Sequence, residues 1–197
     1  MIGSGEIVGI LLAAGEGRRF GGDKLLHPVA GGVPMAVASA RALRQGCGGR
    51  VVAVLRPEQL VLAGLLAAEG AVTHFDPEVR QGMGHSLAAA VRATPDASGW
   101  LVALADMPFI QPATIALVAN ALHAGAGITA PFYRGKRGHP VGFSAHWFDA
   151  LSTLQGDRGA RDLLSRHAGA LTCIPCEDDG VLIDLDTPEG LVSRRLG

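Results

Sequence analysis

Short, nearly unbroken apolar runs recur along this chain at intervals, and no other feature of the sequence narrows its fold as much. They are IVGILLA at 7–13, VVAVL at 51–55, AVTHF at 71–75 and WLVALA at 100–105. A run without polar alternation suits a strand buried on both faces, as in a parallel sheet covered by helices. Amphipathic or Ala/Leu-rich segments lie between and after them, at about 33–45, 57–68, 84–93 and 111–123. Strand and helix therefore alternate, which predicts a three-layer α/β/α, Rossmann-like fold with a mostly parallel sheet and right-handed crossovers.

The pattern changes after residue 125. Two strand-like pieces in ITAPFYRGKRGHPVGFS flank the turn Arg134, Gly135, Lys136 and predict a hairpin added to one sheet edge. Helical segments are expected near 144–153 and 159–168, strands near 170–175 and 181–185, and a last helix from Thr187, with Pro188 in its first turn. With 197 residues and no linker, repeat or low-complexity tract, one domain over 1–197 is expected.

A formal net charge of -1 supplies no global field for nucleic acid or an anionic membrane, so neither is expected as a partner. No apolar run approaches the ~20 residues that span a bilayer, and the start MIGSGEIVGILLAAG lacks the basic segment of a secretory signal. The cytoplasm is the expected compartment. Three cysteines without staple-like spacing agree with reducing surroundings. Cys173 and Cys176 form a C-x-x-C, but Pro175 sits inside the pair and an acidic turn follows it. Two small residues closing a strand are a better reading than a redox or zinc site.

Chemistry concentrates first in the loop after the first run. Leu12, Ala13, Ala14, Gly15, Glu16, Gly17, Arg18, Arg19, Phe20, Gly21, Gly22, Asp23 and Lys24 leave the strand at the carboxyl edge, where open α/β sheets bind ligands. Glycines let backbone N–H groups approach phosphate oxygens, and Arg18, Arg19 and Lys24 add positive charge there. A P-loop is excluded, since Asp23 follows Gly22 and Leu25 stands where the metal-binding hydroxyl belongs. A dinucleotide fingerprint is excluded as well, since Phe20 occupies the third glycine position.

The acids come from two further places. Asp106 follows the strand at 100–105, at the same sheet edge as the glycine loop. Magnesium takes one or two carboxylates and completes its octahedron with phosphate oxygens and water, so a second acid should converge on Asp106. Asp184 and Asp186 are the candidates; two apart on a strand, they share a face, and each can equally be a polar strand exit or helix entry. Gln81, Gly82, Met83, Gly84, His85 and Ser86 form a tight turn into a helix whose N–H groups and Ser86 hydroxyl suit a base edge. His85 is given no catalytic role. Arg134, Lys136, Arg137 and His139, with the turn Gly156, Asp157, Arg158, Gly159, offer charge to an anionic acceptor, or are solvated hairpin and turn tips.

The stretch LAAGEGRRFGGDKLL resembles the signature loop of the molybdenum-cofactor nucleotidyltransferase family, whose fold is glycosyltransferase-A-like. The resemblance continues in order through QGMGHSLAAAV, ALADMPFI, GHPVGF, GDRGARDLL and IDLDTPEGL, nearly the whole chain. It implies a nucleotide site of Leu12, Ala13, Ala14, Gly15, Gly17, Arg18, Arg19, Lys24, Gly82, Met83, Ser86 and Asp106, with Lys24, Arg18 and Asp106 as the catalytic groups. It implies magnesium on Asp106 and, of the two C-terminal acids, Asp184 ahead of Asp186. GHPV and GDRGAR are similar to acceptor-side motifs of the molybdopterin cytidylyltransferase branch, which implies His139, Pro140, Asp157 and Arg158 on the acceptor. Ala14, where the guanylyl branch tends to carry glycine, points to the same branch.

The implied reaction moves CMP from CTP to molybdopterin or the molybdenum cofactor with release of pyrophosphate, and a molybdenum hydroxylase is the implied recipient. Such chemistry needs positioning and charge neutralisation more than a covalent nucleophile, and no Ser-His-Asp or Cys-His arrangement is evident in the sequence. Two alternatives stay open: a nucleotidyltransferase for another phosphorylated acceptor, and a non-catalytic carrier of the molybdenum cofactor.

Overall fold

The computed structural model describes residues 5–15 and 23–185. A central sheet carries helices on both faces. β1 (Ile7–Leu12), β2 (Val51–Leu55), β3 (Val72–Phe75) and β4 (Gly99–Leu104) are its parallel half, in the order β3-β2-β1-β4. β1, β2 and β4 are buried almost throughout, as their unbroken apolar sequences require, while β3 forms the exposed edge.

Alternate side chains of these strands enter different layers. Leu11, Ala53 and Leu101 meet α1 (Met35–Cys47), α2 (Leu60–Ala68) and α4 (Pro112–His123) through Leu43, Leu62 and Ile115. Ile10, Val52 and Trp100 meet α3 (Met83–Arg92), α5 (Phe148–Ser152) and α6 (Arg161–Arg166) through Leu87, Leu151 and Leu163. The buried Trp100 indole donates to Thr94 Oγ1 at 2.9 Å, so that ring's polar edge is satisfied inside the core.

The second half of the sheet is the expected hairpin, added at the β4 edge, with more strands than the two pieces expected. The segment after 125 makes three strands: β5 (Ile128–Tyr133), β6 (Lys136–Arg137) and β7 (Val141–Ser144). β7 is the arm that joins the hairpin to the parallel half. It inserts antiparallel between β4 and β5, with Leu101 opposite Gly142 and Ile128 opposite Phe143, and only β6 remains as the short edge piece. β8 (Leu171–Pro175) then pairs parallel with β5, on the strand expected near 170–175.

The strand expected at 181–185 does not form. Residues 179–182 make a 3-10 turn, its start capped by the buried Asp178 carboxylate, which accepts from the Gly180 N–H at 3.0 Å. Asp178 also accepts from the Gln111 N–H and the Thr114 hydroxyl, each at 2.8 Å, and so closes the start of α4 from across the chain. The helix expected from Thr187 lies outside the described residues. No described helix is long and apolar enough to cross a membrane.

Candidate functional site

The site is built on the carboxyl ends of β1 and β4, which run parallel with Leu12 opposite Leu104. One residue on, the Ala105 N–H donates to the Leu12 carbonyl at 3.1 Å, and the Ala105 carbonyl accepts from the buried Ser39 hydroxyl at 3.0 Å. The chain turns there, and Asp106 emerges at the rim. Its own carbonyl accepts from the Leu185 N–H at 3.0 Å, which brings the C-terminal acidic segment alongside it. Leu185 itself is buried against Val29 and Met35, so the segment is anchored by an apolar residue between Asp184 and Asp186.

Lys24 opens a short 3-10 helix at 24–26 and reaches the Asp106 carboxylate, Nζ to Oδ2, at 2.9 Å. The lysine is 7% exposed and the aspartate 26%, so the charged ends meet where the field is little screened. Two groups distant in sequence thus share one rim of the sheet. Gly17, Arg18 and Arg19 lie outside the described residues.

Across the cleft stands the turn into α3. Gly82 has φ 125°, a backbone conformation that L side chains rarely adopt, and a Cβ there would run into Gly156 and the Asp157 carboxylate. The two turns are clasped: the Gly84 N–H donates to the Gly156 carbonyl at 2.7 Å, and the Gly156 N–H donates to His85 Nδ1 at 3.1 Å. His85 is thereby a structural clasp. Ser86 is buried and donates to the Gly82 carbonyl at 3.3 Å, and its oxygen retains acceptor capacity toward the cleft.

Between these walls lies a cleft of about 510 Å³ lined by Leu12, Ala14, Gly15, Lys24, Gly82, Met83, Ser86, Asp106 and Asp157, closed further by Leu25, Val79, Arg80 and Leu104. Such a volume suits a nucleotide-sized ligand. Its lining combines apolar Val79, Met83 and Leu12 with the charged Lys24 and Asp106, a mixture that a ligand with both a base and phosphates can use.

Arg56, Glu58 and Gln59, just after β2, were given no role at the site from the sequence. Gln59 Nε2 donates to the Ala13 carbonyl at 3.1 Å, and Arg56 Nη1 donates to the carbonyls of Ala14 and Gly15 at 2.6 and 2.7 Å. Arg56 also pairs with Glu58 at 3.0 Å, and Glu58 pairs with Arg80 at 2.8 Å. The signal that points to them is their place just after β2, at the same carboxyl edge.

The residues expected on the acceptor do not form one group. Asp157 lines the cleft, beside Gly82. Arg158 pairs outward with Asp162 at 3.0 Å and is 66% exposed. His139 and Pro140, joined by a cis peptide bond, lie elsewhere, with the His139 N–H donating to the Val181 carbonyl at 3.0 Å. Burial first, and then the Arg137 charge, depress the His139 imidazole from its ordinary 6.5 to about 4, against the opposing pull of Asp184. Asp184 therefore stands close to His139 as well as to the Asp106 turn, and its side chain is exposed. Asp186 lies outside the described residues. Among the described residues no three His, Cys, Asp or Glu side chains cluster to hold a metal ion. Carboxylate donors alone on this rim suit a hard cation whose other positions are filled by phosphate oxygens and water.

Residues 9–171 match the family described as MobA-like NTP transferase domain. The chain is 33% identical to the purine catabolism protein PucB of Bacillus subtilis over 198 residues, covering 93% of each. It is 32% identical over 192 residues to nicotine blue oxidoreductase of Paenarthrobacter nicotinovorans, again covering 93% of each. The crystal structure of Rv0371c from Mycobacterium tuberculosis superposes with a TM-score of 0.81 at 28% identity, covering 98% of both chains. A structure of Rv0371c in complex with manganese matches with a TM-score of 0.75 at 26% identity, covering 88% of this chain and 89% of that one.

Proposed function

We propose, since the chain belongs to the MobA-like NTP transferase family and is a nucleotidyltransferase, that it transfers CMP from CTP to the phosphate of molybdopterin or the molybdenum cofactor. The observation that carries this reading is the meeting of Lys24 and Asp106 at the rim of a cleft whose far wall is the Gly82–Ser86 turn. The triphosphate lies along the loop after β1, with Lys24 and Arg18 on its oxygens, and the base lies toward Met83 and Ser86. Asp106 and Asp184, ahead of Asp186, would hold a divalent cation, magnesium in this reading, which when bound neutralises charge on the phosphates. The manganese complex of Rv0371c supports a divalent ion on this fold.

The acceptor needs no general base, because a phosphate monoester is already ionised near neutral pH. Its oxygen attacks the α-phosphorus in line. The bond from that phosphorus to the bridging oxygen breaks, and pyrophosphate leaves with the electron pair. Lys24 and the loop N–H groups stabilise the charge that gathers on the departing oxygens. His139, neutral near pH 7, and Pro140 contact the acceptor, while Asp157 lies in the cleft beside Gly82 and Arg158 is engaged outward with Asp162. The whole chain acts as one domain in the cytoplasm and passes its product to a molybdenum hydroxylase.

The alternatives are a nucleotidyltransferase for another phosphorylated acceptor and a non-catalytic carrier of the molybdenum cofactor. Incubation of the protein with each of the four NTPs, magnesium and molybdopterin, following pyrophosphate and product mass, separates the readings. CTP-dependent pyrophosphate release, lost in Asp106→Asn, is the expected result. Pyrophosphate release only with a different phosphorylated acceptor would establish the other transferase instead. Binding of the finished cofactor without turnover would establish a carrier.

A further inference from the structure

Three successive carbonyls at the start of the glycine loop are held from the same side. Those of Ala13, Ala14 and Gly15 accept from Gln59 Nε2, Arg56 Nη1 and Arg56 Nη1 respectively. In a continuing strand successive carbonyls would alternate, and the Ala14 carbonyl would turn toward β4 as that of Leu12 does. The donors after β2 break the alternation. In a trans peptide the N–H points opposite to the preceding carbonyl, so tying the carbonyls of Ala13 and Ala14 back toward Arg56 and Gln59 turns the N–H groups of Ala14 and Gly15 the other way. Ala14 and Gly15 both line the cleft, with Lys24 and Asp106. Successive N–H groups facing one way make a concavity that binds anionic oxygens.

We propose that Arg56 and Gln59 are positioning residues that set the backbone of Ala14 and Gly15 in the form that receives the nucleotide's phosphates. The inference rests on the reading that triphosphate lies in this cleft. Gln59 is itself fixed, being 6% exposed with its Oε1 accepting from the Arg56 N–H at 2.8 Å. Arg56 is only 14% exposed and is shared with Glu58, which is shared in turn with Arg80 at the cleft rim. Occupation of the cleft and the geometry of the loop are therefore joined through side chains that need not touch the ligand.

The test compares the full-length wild type with Arg56→Met, Arg56→Lys and Gln59→Met, and with Arg41→Met as a surface control whose guanidinium pairs with Glu69 on the far side of α1. Binding of CTP and of inorganic tripolyphosphate is titrated with magnesium, and KM and kcat are measured by pyrophosphate release. Arg56→Met should raise the KM for CTP and weaken tripolyphosphate about tenfold or more, the scale of a lost charge-assisted hydrogen bond. Its kcat should change much less. Arg56→Lys, with an ammonium for one carbonyl, should recover part of the loss, and Arg41→Met should behave as wild type. A merely structural role would lower the active fraction, and with it the apparent kcat, at unchanged KM; that result overturns the proposal. So does wild-type affinity for tripolyphosphate in Arg56→Met and Gln59→Met. Failure of the wild type itself to bind either ligand is a different result, and it removes the nucleotide reading together with this inference.

Discussion

His139 shows how one residue's surroundings become a property of the whole protein. Its imidazole titrates near 4 in the fold instead of 6.5, mainly because it is enclosed and secondly because Arg137 is near. A depressed histidine means that the unfolded chain binds the proton more readily. Between about pH 6.5 and 4 unfolding therefore takes up a proton, and stability falls as pH falls through that window. Above it both states are neutral at this position and the effect vanishes. The expected size is roughly 2 kcal/mol by pH 4.5, an upper range discounted for partial exposure. Urea unfolding with chelator present, at pH 7.5 and at pH 4.5, checks this: His139→Gln should lose less stability between the two than the wild type does. Equal losses would show that His139 does not carry the pH dependence.

At the scale of elements, the cleft depends on two turns that fit only because Gly82 has no side chain. Gly82→Ala would place a methyl against Gly156 and Asp157 at a φ of 125°, which an alanine adopts poorly. The expected cost is about 2 kcal/mol or more, read as a lower urea midpoint, with weaker CTP binding as the clasp between α3 and the 156–157 turn opens. The glycine was visible in the sequence, and so was its place before a helix; what it packs on was not, because Gly156 lies 74 positions away. The same division runs through the fold. The strands β1 to β4 were legible because strands buried on both faces carry unbroken apolar runs. Insertion of β7 between β4 and β5 was not, since VGFS reads alike at an edge or inside a sheet. The run at 181–185 has strand composition, but Asp178 caps a 3-10 turn over 179–182 and the Val181 carbonyl serves His139. Asp106 and Lys24 could be assigned to one sheet edge from their neighbours in sequence. Arg56 and Gln59 could not be assigned to a role, since their partners are backbone carbonyls more than 40 residues earlier.

For the molecule as a whole, the cleft couples ligand binding to folding. Its walls come from the loop after β1, the turn into α3, the end of β4 and the 156–157 turn, segments that meet only in the folded chain. A ligand held by all of them binds the native state and not the unfolded one, so it must stabilise by mass action. Free CTP with magnesium at about a hundred times its dissociation constant should add roughly 2.7 kcal/mol, and for a chain of this length each kcal/mol moves the thermal midpoint by about 2–4 °C. A rise of about 5–10 °C is therefore expected in the wild type, and it should shrink on adding chelator. Asp106→Asn separates the metal contribution from the rest: it keeps the side-chain volume but loses the carboxylate that pairs with Lys24 at 2.9 Å. If Asp106 holds the cation, this variant should show a much smaller CTP-dependent rise that no longer responds to chelator. A rise equal to that of the wild type, still sensitive to chelator, would move the cation to other ligands and leave Asp106 with its lysine alone.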